Sequence, residues 1–387
     1  MIYLDHASTT PLHPEVRATL LEALEAFGNP GSLHAAGRQA RRWLEDARRE
    51  VAALVGALPA EVIFTASGTE SNNMVLRGVV DAYLDAVPVH LVVSGIEHPC
   101  IRNTARYLAE RRPNVTLTEV APAPDGRVMP DAVAAALTPH TRLVSVMMVN
   151  NETGALQPVE EIARVARTAG VPFHTDACQA PGRVEVAGLA TCADAITLCA
   201  HKMYGPRGAA ALVLREGVAM RSLLLGGGQE RERRAGTENT AALAAMGTAA
   251  RLARLHTATW AAHTCDCEAA LLEAMASEGL EACLTLPPGT PRAPGIMNLA
   301  VPPLDAEDLM IGLDLAGVGI STGSACNSGS IEPSTVLRAM GLTPTEARRR
   351  VRISAGLATA PEDMPKVARF IAQLAQRKGE GELRIKN

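Results

Sequence analysis

Short apolar runs recur along the first part of the chain, separated by longer segments in which apolar residues have helical spacing. We interpret these runs as buried strands: EVIFTAS (61–67), HLVVSG (90–95), RLVSVMMVN (142–150), VPFHTDA (171–177), DAITLCA (194–200) and GAAALVL (208–214). Helical segments such as TESNNMVLRGVVDAYLDA and VEEIARVARTAG lie between most of them. Strand and helix in turn predict an α/β fold with a mostly parallel sheet covered by helices.

The pattern changes after about residue 250, where strand and helix no longer alternate. A long Ala-, Leu- and Glu-rich helical stretch comes first, followed by the apolar run APGIMNLAVP, a Gly- and Ser-rich segment and a closing helix. A chain of 387 residues is also longer than one hydrophobic core usually supports. The pattern therefore predicts a large domain and a smaller α+β domain, but it does not by itself place the first dozen residues. We assign residues 14–255 to the large domain and residues 1–13 and 256–387 to the small one.

Composition and charge exclude several classes of protein. Apolar residues make up 47% of the chain and charged residues 20%, as in a globular protein rather than a disordered one. The net charge is −4, from 37 basic and 41 acidic residues, and no long basic run favours nucleic acid as a direct partner. Because a signal-peptide pattern is absent and no apolar run approaches the ~18 residues of a membrane span, we expect a cytoplasmic protein without membrane contact.

The cysteines are of two kinds. The eight residues form no CxxC pair, as expected where thiols stay reduced. Cys265 and Cys267 lie in a helical stretch, where residues two apart do not face each other, so no metal site is expected. Cys326, in STGSACNSGS (321–330), has only small or amide neighbours, unlike a cysteine that packs in a core. This context indicates an accessible thiol in a segment that other molecules can approach closely.

Polar residues follow several of the predicted strands, where ligands gather in open α/β sheets. After EVIFTA, Ser67 and Glu70 have the spacing of a capping box, and Gly68–Thr69 open a helix whose free amides could hold an anion. His98 follows HLVVSG, and Asn151 follows RLVSVMMV. Taken singly, a capping box is usually only a cap, and a histidine at a strand end more often serves as a structural hydrogen-bonding residue.

Two further strand ends carry charged residues. The strand VPFHTDA delivers Asp176 in an apolar setting with Gln179 nearby, and such a carboxylate needs a cationic or donor partner. The next strand ends in CAHKMYGP, which places Lys202 beside a Tyr-Gly-Pro turn. Lys202 alone could be an ordinary surface lysine, but Lys202 and Asp176 together suggest a specific chemistry.

These residues match what pyridoxal phosphate (PLP) requires of a protein. The cofactor needs a lysine for its Schiff base, a carboxylate for the pyridine nitrogen, a flat partner for the ring and a cradle for the phosphate. Lys202, Asp176, His98 and Gly68–Thr69 supply these four groups at four strand ends. Each signal is weak alone, and jointly they indicate a PLP enzyme.

The chain resembles the cysteine desulfurases of the NifS/IscS family, in the class V aminotransferase branch of fold type I PLP enzymes. The resemblance covers nearly the whole chain. It is carried by YLDHASTTP, FGNPGSLH, FTASGTESNN, VNNETG, HTDACQAPG, AHKMYGP, GGGQERERRAGTEN, STGSACNSGSIEPSTVLRAMG and VRISAG. HKMYGP and SGSAC, in this order and spacing, are specific to the family.

The resemblance implies a role for each candidate residue. For the cofactor these are Lys202 for the Schiff base, Asp176 for the pyridine nitrogen, Gln179 for the ring hydroxyl, His98 for ring stacking, and Gly68, Thr69, His201 and Cys199 around the phosphate. Thr237 of the neighbouring subunit completes the phosphate site, which implies a homodimer with composite sites. Asn151 and Arg352 match the positions that hold the substrate carboxylate. Cys199 is a departure, since the family commonly has serine there.

The resemblance also implies the reaction, in which L-cysteine becomes L-alanine and its sulfur passes to Cys326 as a persulfide, then to an acceptor protein. Lys202 removes the Cα proton, and we expect a proton acceptor near the Cys326 thiol, with His98 as the candidate. The acceptor is not identified by one chain, since iron-sulfur cluster assembly, tRNA thiolation and DNA phosphorothioation draw on similar enzymes. The alternatives are another class V enzyme, such as a selenocysteine lyase or an aminotransferase, and a non-catalytic sulfur-transfer scaffold.

Overall fold

A computed structural model describes residues 1–322 and 333–385 of the chain. The strands are β1 (Ile2–Tyr3), β2 (Val62–Thr65), β3 (Val89–Ser94), β4 (Val115–Val120), β5 (Thr141–Ser145), β6 (Phe173–Asp176), β7 (Ala195–Cys199), β8 (Ala210–Leu214), β9 (Cys283–Leu284), β10 (Met297–Ala300), β11 (Val318–Gly319) and β12 (Val351–Ile353). The α-helices are α1 (Pro14–Leu24), α2 (Ala35–Val55), α3 (Gly68–Asp81), α4 (Pro99–Arg111), α5 (Pro130–Ala136), α6 (Val159–Thr168), α7 (Leu189–Cys192), α8 (Thr240–Ser277), α9 (Ala306–Leu315), α10 (Thr335–Ala339), α11 (Pro344–Arg348) and α12 (Met364–Ile385).

The main sheet confirms the predicted α/β fold. Within the described residues it has seven strands in the order β2-β8-β7-β6-β5-β3-β4. Strand β8 runs antiparallel to both of its neighbours, and the other pairs are parallel. Helices separate most of the parallel strands along the chain, and strands β3, β6 and β7 are wholly buried, as expected for a sheet covered on both faces.

Each predicted strand has a counterpart in this sheet, and one strand was missed. The predicted strand 142–150 ends earlier than expected, at Ser145, because the apolar residues that follow it continue as buried chain outside the ladder. The missed strand is β4, whose sequence VTLTEV places polar residues at partly exposed positions. Its position at the edge of the sheet, paired with β3 alone, explains why its apolar signal is weak.

The first residues, which lack a clear pattern, are joined to a distant part of the chain. Strand β1 pairs in parallel with β11, with Ile2 opposite Val318. Asp5 makes a further parallel bridge to Ser354, which lies just after β12. Strand β12 belongs to a second, antiparallel sheet in the order β12-β10-β9. The amino-terminal segment is therefore held in place by its pairing with residues beyond position 300.

Buried apolar residues form a main cluster around the large sheet and a second one near the chain ends. The second cluster joins Leu4 to buried residues between Leu271 and Ile371. Val336 and Leu337 pack instead into the main cluster. The predicted boundary at residue 255 falls inside α8, a single continuous helix. The division into two domains stays a prediction.

Residues 1–322 and 333–385 contain neither a candidate membrane-spanning helix nor a candidate metal-binding cluster. None of the helices there is both long and apolar enough to cross a membrane. No group of three or more His, Cys, Asp or Glu side chains in these residues could hold a metal ion. Cys265 and Cys267 both lie in α8, and both are free thiols.

Candidate active site

Two of the singled-out residues lie at the carboxyl ends of neighbouring strands. Strands β6 and β7 are parallel, with Asp176 opposite Thr197. Asp176 is the last residue of β6, and Lys202 ends a short 3-10 turn, Ala200–Lys202, that directly follows β7. This edge is where an open α/β sheet binds ligands. We call the following set of residues the strand-end pocket: Asn72, Glu97, His98, Asp176, Gln179 and Lys202.

The Asp176 carboxylate is buried yet kept ionised. It accepts hydrogen bonds from Asn72 Nδ2 at 2.7 Å and from the amide of Cys178 at 2.9 Å. Burial alone would raise the pKa of Asp176, but the charge of Lys202 and these two hydrogen bonds hold the pKa below its usual value. A carboxylate that stays charged in such a site can keep a cationic ring nitrogen protonated.

The His98 ring is held in one tautomer at the start of α4. His98 is the N-cap of this helix, and its Nδ1 accepts a hydrogen bond from the amide of Cys100 at 3.2 Å. Burial lowers the pKa of His98, and the nearby charge of Lys202 lowers it further, so the ring is neutral at physiological pH. A neutral ring whose Nδ1 accepts a hydrogen bond carries its proton on Nε2.

Several buried polar atoms of the pocket lack a partner among the described residues. Gln179 Nε2 donates to the carbonyl of Ala7 at 2.8 Å, but Gln179 Oε1 has no hydrogen bond. The same is true of Asn72 Oδ1, although Asn72 Nδ2 is bonded to Asp176. Buried polar groups are normally satisfied, so unmatched atoms beside a lysine and a carboxylate indicate a site built for a polar ligand.

Glu97 is a second buried carboxyl in the pocket, and it is neutral. Its Oε1 accepts hydrogen bonds from the Ser94 hydroxyl and from the Met147 amide, while Oε2 has no partner among the described residues. Burial raises the pKa of Glu97 to about 8, and the negative charge of Asp176 adds to the rise. The pocket therefore holds one charged and one neutral carboxyl.

The start of α3 offers backbone amides beside this pocket. Ser67 caps the helix by accepting the amide of Glu70 at 3.1 Å, as the spacing predicts. The Glu70 carboxylate bonds to the amide of Ala66 at 2.9 Å, one residue before the cap. A Cβ atom at Gly68 would lie 2.9 Å from Cys178 Sγ, so a larger residue here would displace the Cys178 side chain. Gly68 and Thr69 are partly or fully exposed, which leaves the helix start open to an anion.

Cys199 lies in the wall next to this helix start. It is buried at the end of β7 and packs against Cys178 and Ala210. A hydrogen bond from the Cys178 thiol lowers the pKa of Cys199, against burial, which raises it. The positively charged Lys202 and a hydrogen bond to His201 lower it further. The structure thus brings Cys199 close to the predicted cofactor residues.

The two remaining predicted phosphate residues are placed differently. His201 lies in the turn before Lys202, and its Nδ1 is 3.2 Å from Thr9 Oγ1. The carbonyl of His201 accepts the amide of Thr10 at 2.9 Å. Thr237 is exposed, in a segment between β8 and α8. Its predicted contact is to a second subunit, which a single chain does not contain.

Arg352 lies at a separate place, on β12. Its Nη2 donates to Asp5 Oδ1 at 2.7 Å and to Ser8 Oγ at 2.6 Å, and its Nη1 donates to the carbonyl of Asn151 at 2.7 Å. The side chain is almost fully buried, and its Nε has no hydrogen-bond partner among the described residues. We call Asp5, Ser8, Asn151 and Arg352 the arginine corner. The predicted pair of Asn151 and Arg352 is therefore brought together.

Cys326, the predicted nucleophile, lies outside the described residues. The described chain on its two sides can be placed. Ser321 pairs through its backbone with Arg352, with N–O distances of 2.6 and 3.2 Å. On the other side, the Ser334 hydroxyl bonds to the buried carboxyl of Glu152, which follows Asn151. Both flanking positions are thus attached at or beside the arginine corner.

Sequence analysis missed three residues that the structure assigns to the site. Asn72 bonds to Asp176, the buried Glu97 interacts electrostatically with Asp176, and Asp5 pairs with Arg352. Asn72 could have been found from helical spacing, because it lies four residues after Gly68 on the same helix. Asp5 had no such signal, since its partner is 347 residues away in the chain.

The chain is similar in sequence and in fold to known proteins. A sequence profile of the family described as aminotransferase class-V matches residues 2–367. The chain is 37% identical over 364 residues to a cysteine desulfurase IscS of Dictyoglomus turgidum, covering 94% of this chain and 91% of the relative. A solved NifS-like protein is similar with a TM-score of 0.88 and 27% identity, covering 98% of this chain and 99% of that chain. A structure of SspA in complex with cysteine has a TM-score of 0.80 and 30% identity, covering 93% and 100%.

Proposed function

Because the chain belongs to the class-V aminotransferase family, we infer that it is a PLP-dependent cysteine desulfurase. The enzyme converts L-cysteine to L-alanine and retains the sulfur for transfer. The observation that carries this conclusion is the juxtaposition of Lys202 with an ionised, buried Asp176 at adjacent strand ends. The predicted fold, cofactor and reaction class are confirmed. The individual residue roles that follow are proposals.

The strand-end pocket fits PLP. The unpaired Oε1 of Gln179 and the open helix start at Gly68–Thr69 offer groups for a ring substituent and a phosphate. When bound, the cofactor supplies a conjugated ring that withdraws electrons from the bonds at the substrate's Cα. We propose that Lys202 holds it covalently and that Asp176 pairs with its ring nitrogen. Around the phosphate we place Gly68, Thr69, His201, Cys199 and the partner subunit's Thr237.

Three side chains of this chain would handle the protons. The Lys202 amine would take the Cα proton of the substrate and return a proton to Cα as alanine forms. His98, which is neutral with its proton on Nε2, would lie against the ring of the bound cofactor and could exchange that proton at the same atom. The Cys326 thiol must lose its proton before it can attack sulfur, because the thiolate is the nucleophile. We propose that His98 accepts that proton at Nε2 after it has given its own Nε2 proton to the substrate, since Nδ1 already accepts the amide of Cys100.

The sulfur step balances without an added oxidant or reductant. The Cys326 thiolate attacks the substrate's sulfur, a sulfur–sulfur bond forms, and the carbon–sulfur bond of cysteine breaks. The electron pair of the broken bond stays with carbon, which gains a proton to become alanine. The products are alanine and a persulfide on Cys326, and the persulfide then passes to an acceptor protein.

The arginine corner would hold the carboxylate of L-cysteine. Arg352 presents a planar group that matches a carboxylate. Its Nε is unpaired among the described residues, whereas Nη1 and Nη2 would exchange their present bonds for the carboxylate. The corner also carries Ser321, beside the segment that contains Cys326. This arrangement would bring the substrate's sulfur and the nucleophile to the same side of the site.

We further propose that the enzyme is a homodimer. Phe27 and Leu33, in the FGNPGSLH motif, are 89% and 85% exposed, and Leu225, which precedes GGGQERERRAGTEN, is 88% exposed. Side chains of this size are costly to leave in water. A second copy of the chain that covers these segments would also bring Thr237 to a neighbouring site.

The test is to mix the PLP-loaded wild type and Cys326→Ser with L-cysteine and to measure alanine, persulfide and the cofactor spectrum. We expect the wild type to release alanine without any keto acid. The serine variant should keep its cofactor spectrum and shift it on mixing, but form no persulfide and almost no alanine, since a hydroxyl is a far poorer nucleophile. Near-normal alanine release by the serine variant would contradict the mechanism, and dependence on a keto acid would indicate an aminotransferase.

A further inference from the structure

The segment GGGQERERRAGTEN, residues 226–239, makes buried contacts that the reaction does not use. We call it the arginine loop, because it contains Arg231, Arg233 and Arg234. It lies between β8 and α8 and contains the exposed Thr237 near its end. Most of its residues are exposed or partly exposed, but Glu230 is 5% exposed. A carboxylate buried in an otherwise exposed loop requires a specific partner.

That partner is Arg48, on α2. Two parallel hydrogen bonds of 2.8 Å join Arg48 Nη1 and Nη2 to the two carboxylate oxygens of Glu230. Glu230 Oε2 also accepts the amide of Phe64 at 2.8 Å, and the Arg48 guanidinium lies 4.7 Å above the Phe64 ring. The buried pair therefore fixes the loop to strand β2, which leads directly into the cofactor-facing start of α3.

The backbone at this point adopts a conformation that its residues disfavour. Glu230, Arg231 and Glu232 have φ values of 47°, 56° and 65°, in the left-handed region that side chains with a Cβ rarely occupy. Such a run persists only where surrounding contacts impose it. Besides the Glu230 pair, Arg231 and Arg233 each donate to the carbonyl of Ala60 at 2.8 Å. The loop conformation is thus set by contacts to the body of the protein.

A second ion pair is formed by Arg234, which lies between Glu230 and Thr237 in the chain. Arg234 Nε donates to Glu70 Oε1 at 2.7 Å, and Arg234 Nη2 donates to Oε2 at 3.3 Å. Glu70 lies in the first turn of α3, so this pair ties the loop to the same helix start. Thr237 follows three residues after Arg234, which leaves little freedom for its position.

We propose that Glu230, through Arg48, is a positioning residue that sets the arginine loop and so presents Thr237 to the cofactor phosphate of the partner subunit. The inference rests on the proposed homodimer with composite sites. Glu230 touches neither substrate nor cofactor in this arrangement and acts only through the loop. It should therefore influence the affinity for PLP in the neighbouring site, not in its own.

The first experiment measures PLP affinity by titrating the apoenzyme and following the visible absorbance. Glu230→Gln keeps the size of the side chain but removes the charge that Arg48 requires. We expect Glu230→Gln and Thr237→Ala each to weaken PLP binding by about 10-fold, the scale of one hydrogen bond to a charged group. The double variant should bind no more weakly than either single variant, because Glu230 acts only by placing Thr237.

A matched control separates positioning from general stability. Outside the loop, the buried Glu268 forms a similar pair with the partly exposed Arg292, with two hydrogen bonds of 2.7 Å. Glu268→Gln should lower the unfolding midpoint without changing PLP affinity. If Glu230→Gln folds poorly, Arg234→Gln, which removes the half-buried pair with Glu70, gives the same measurement.

Mixed dimers test which site Glu230 serves. A dimer of one Lys202→Ala subunit and one Glu230→Gln subunit has a single intact lysine, in the Glu230→Gln subunit. That site receives its Thr237 from the native loop of the Lys202→Ala subunit, so its PLP affinity should equal that of the wild type. A site that stays as weak as in the Glu230→Gln homodimer would overturn the proposal.

Two other results would also overturn it, and neither reflects on the reaction. The first is an unchanged PLP affinity of Glu230→Gln. The second is an additive loss of PLP affinity in the Glu230→Gln, Thr237→Ala double variant. In both cases the wild type still forms alanine. Failure of the proposed function itself has a different signature, namely a wild type that releases no alanine from cysteine. The native mass of the wild type tests the dimer directly.

Discussion

Two regions of the molecule bury charged side chains, the strand-end pocket around Asp176 and the arginine corner around Arg352, and they differ in how far those groups are paired. In the pocket, Gln179 Oε1, Asn72 Oδ1 and Glu97 Oε2 have no partner among the described residues. In the corner, both terminal nitrogens of Arg352 are bonded, and its charge is matched by Asp5. The pocket is arranged for a ligand that stays bound, whereas the corner, apart from Arg352 Nε, pairs its own groups when no ligand is there.

The difference has an energetic meaning. A buried polar atom without a partner costs about 1 to 3 kcal/mol, so the pocket retains a substantial cost until a ligand supplies the missing bonds. A resident cofactor can remove that cost once and permanently. Cysteine must enter and alanine must leave in every cycle, so a substrate site benefits from internal partners that replace the carboxylate between turnovers.

The largest predicted effect is in the pocket. Lys202→Ala should lose the yellow colour of the lysine-bound cofactor and all desulfurase turnover, because Lys202 is the only lysine in the described strand-end motifs that can supply the amine. The measurements are the visible spectrum after PLP loading and alanine release from L-cysteine. Lys366→Ala, which removes an exposed lysine of α12, is the control and should keep both properties.

A yellow, active Lys202→Ala protein would remove the pocket from the mechanism. The comparison between a cofactor region and a substrate region would then have no basis. A colourless protein without turnover would support it and would leave the corner to be tested separately.

The two regions also differ in how well the sequence predicts them. Lys202, Asp176 and His98 follow buried strands, and parallel strands bring their carboxyl ends together, so local pattern was enough to group these residues. The main sheet was predictable for the same reason, apart from its edge strand β4. The spacing of apolar residues predicts strands and helices, and so it also predicts which residues follow a buried strand.

The arginine corner depends on contacts that no local pattern encodes. Arg352 meets Asp5 and Ser8 because β1 pairs with β11 and Asp5 bridges to Ser354, across more than 340 residues of chain in the case of Asp5. The family resemblance supplied Arg352 and Asn151 but not these partners. The left-handed run at Glu230 was equally hidden, since its cause is a tertiary ion pair with Arg48 and not a glycine.

An effect of intermediate size concerns the stability of the pocket. Burial raises the pKa of Glu97 to about 8, above its usual value of 4.5, so the folded protein keeps a proton that the unfolded chain has lost between these pH values. The stabilising contribution is therefore complete below about pH 4.5 and falls as the pH rises towards about 8. Glu97→Gln, which resembles the neutral carboxyl, should not show this loss.

The measurement is the chemical denaturation of wild type and Glu97→Gln holoenzymes at several pH values. Between pH 5 and pH 8.5 we expect the wild type to lose on the order of 4 kcal/mol of unfolding free energy relative to the variant. Parallel pH profiles for the two proteins would mean that Glu97 is ionised in the fold. The pocket would then hold two charged carboxyls, and its contrast with the paired corner would weaken.

The smallest predicted effect tests whether Arg352 exchanges Asp5 for the carboxylate of the substrate. Asp5→Asn keeps an oxygen that can accept from Arg352 Nη2 but removes the negative charge that competes with the substrate carboxylate. If Asp5 is the partner of Arg352 when no substrate is bound, the variant should bind cysteine more readily. Its KM should fall by about 3- to 5-fold, or roughly 1 kcal/mol. The value of kcat should not change, because the Lys202 and Cys326 steps follow binding.

Ser8→Ala removes a neutral partner of the same nitrogen and should lower KM by less. A rise in KM for Asp5→Asn would show the opposite, that Asp5 orients Arg352 for the substrate and that the corner is as preorganised as the pocket.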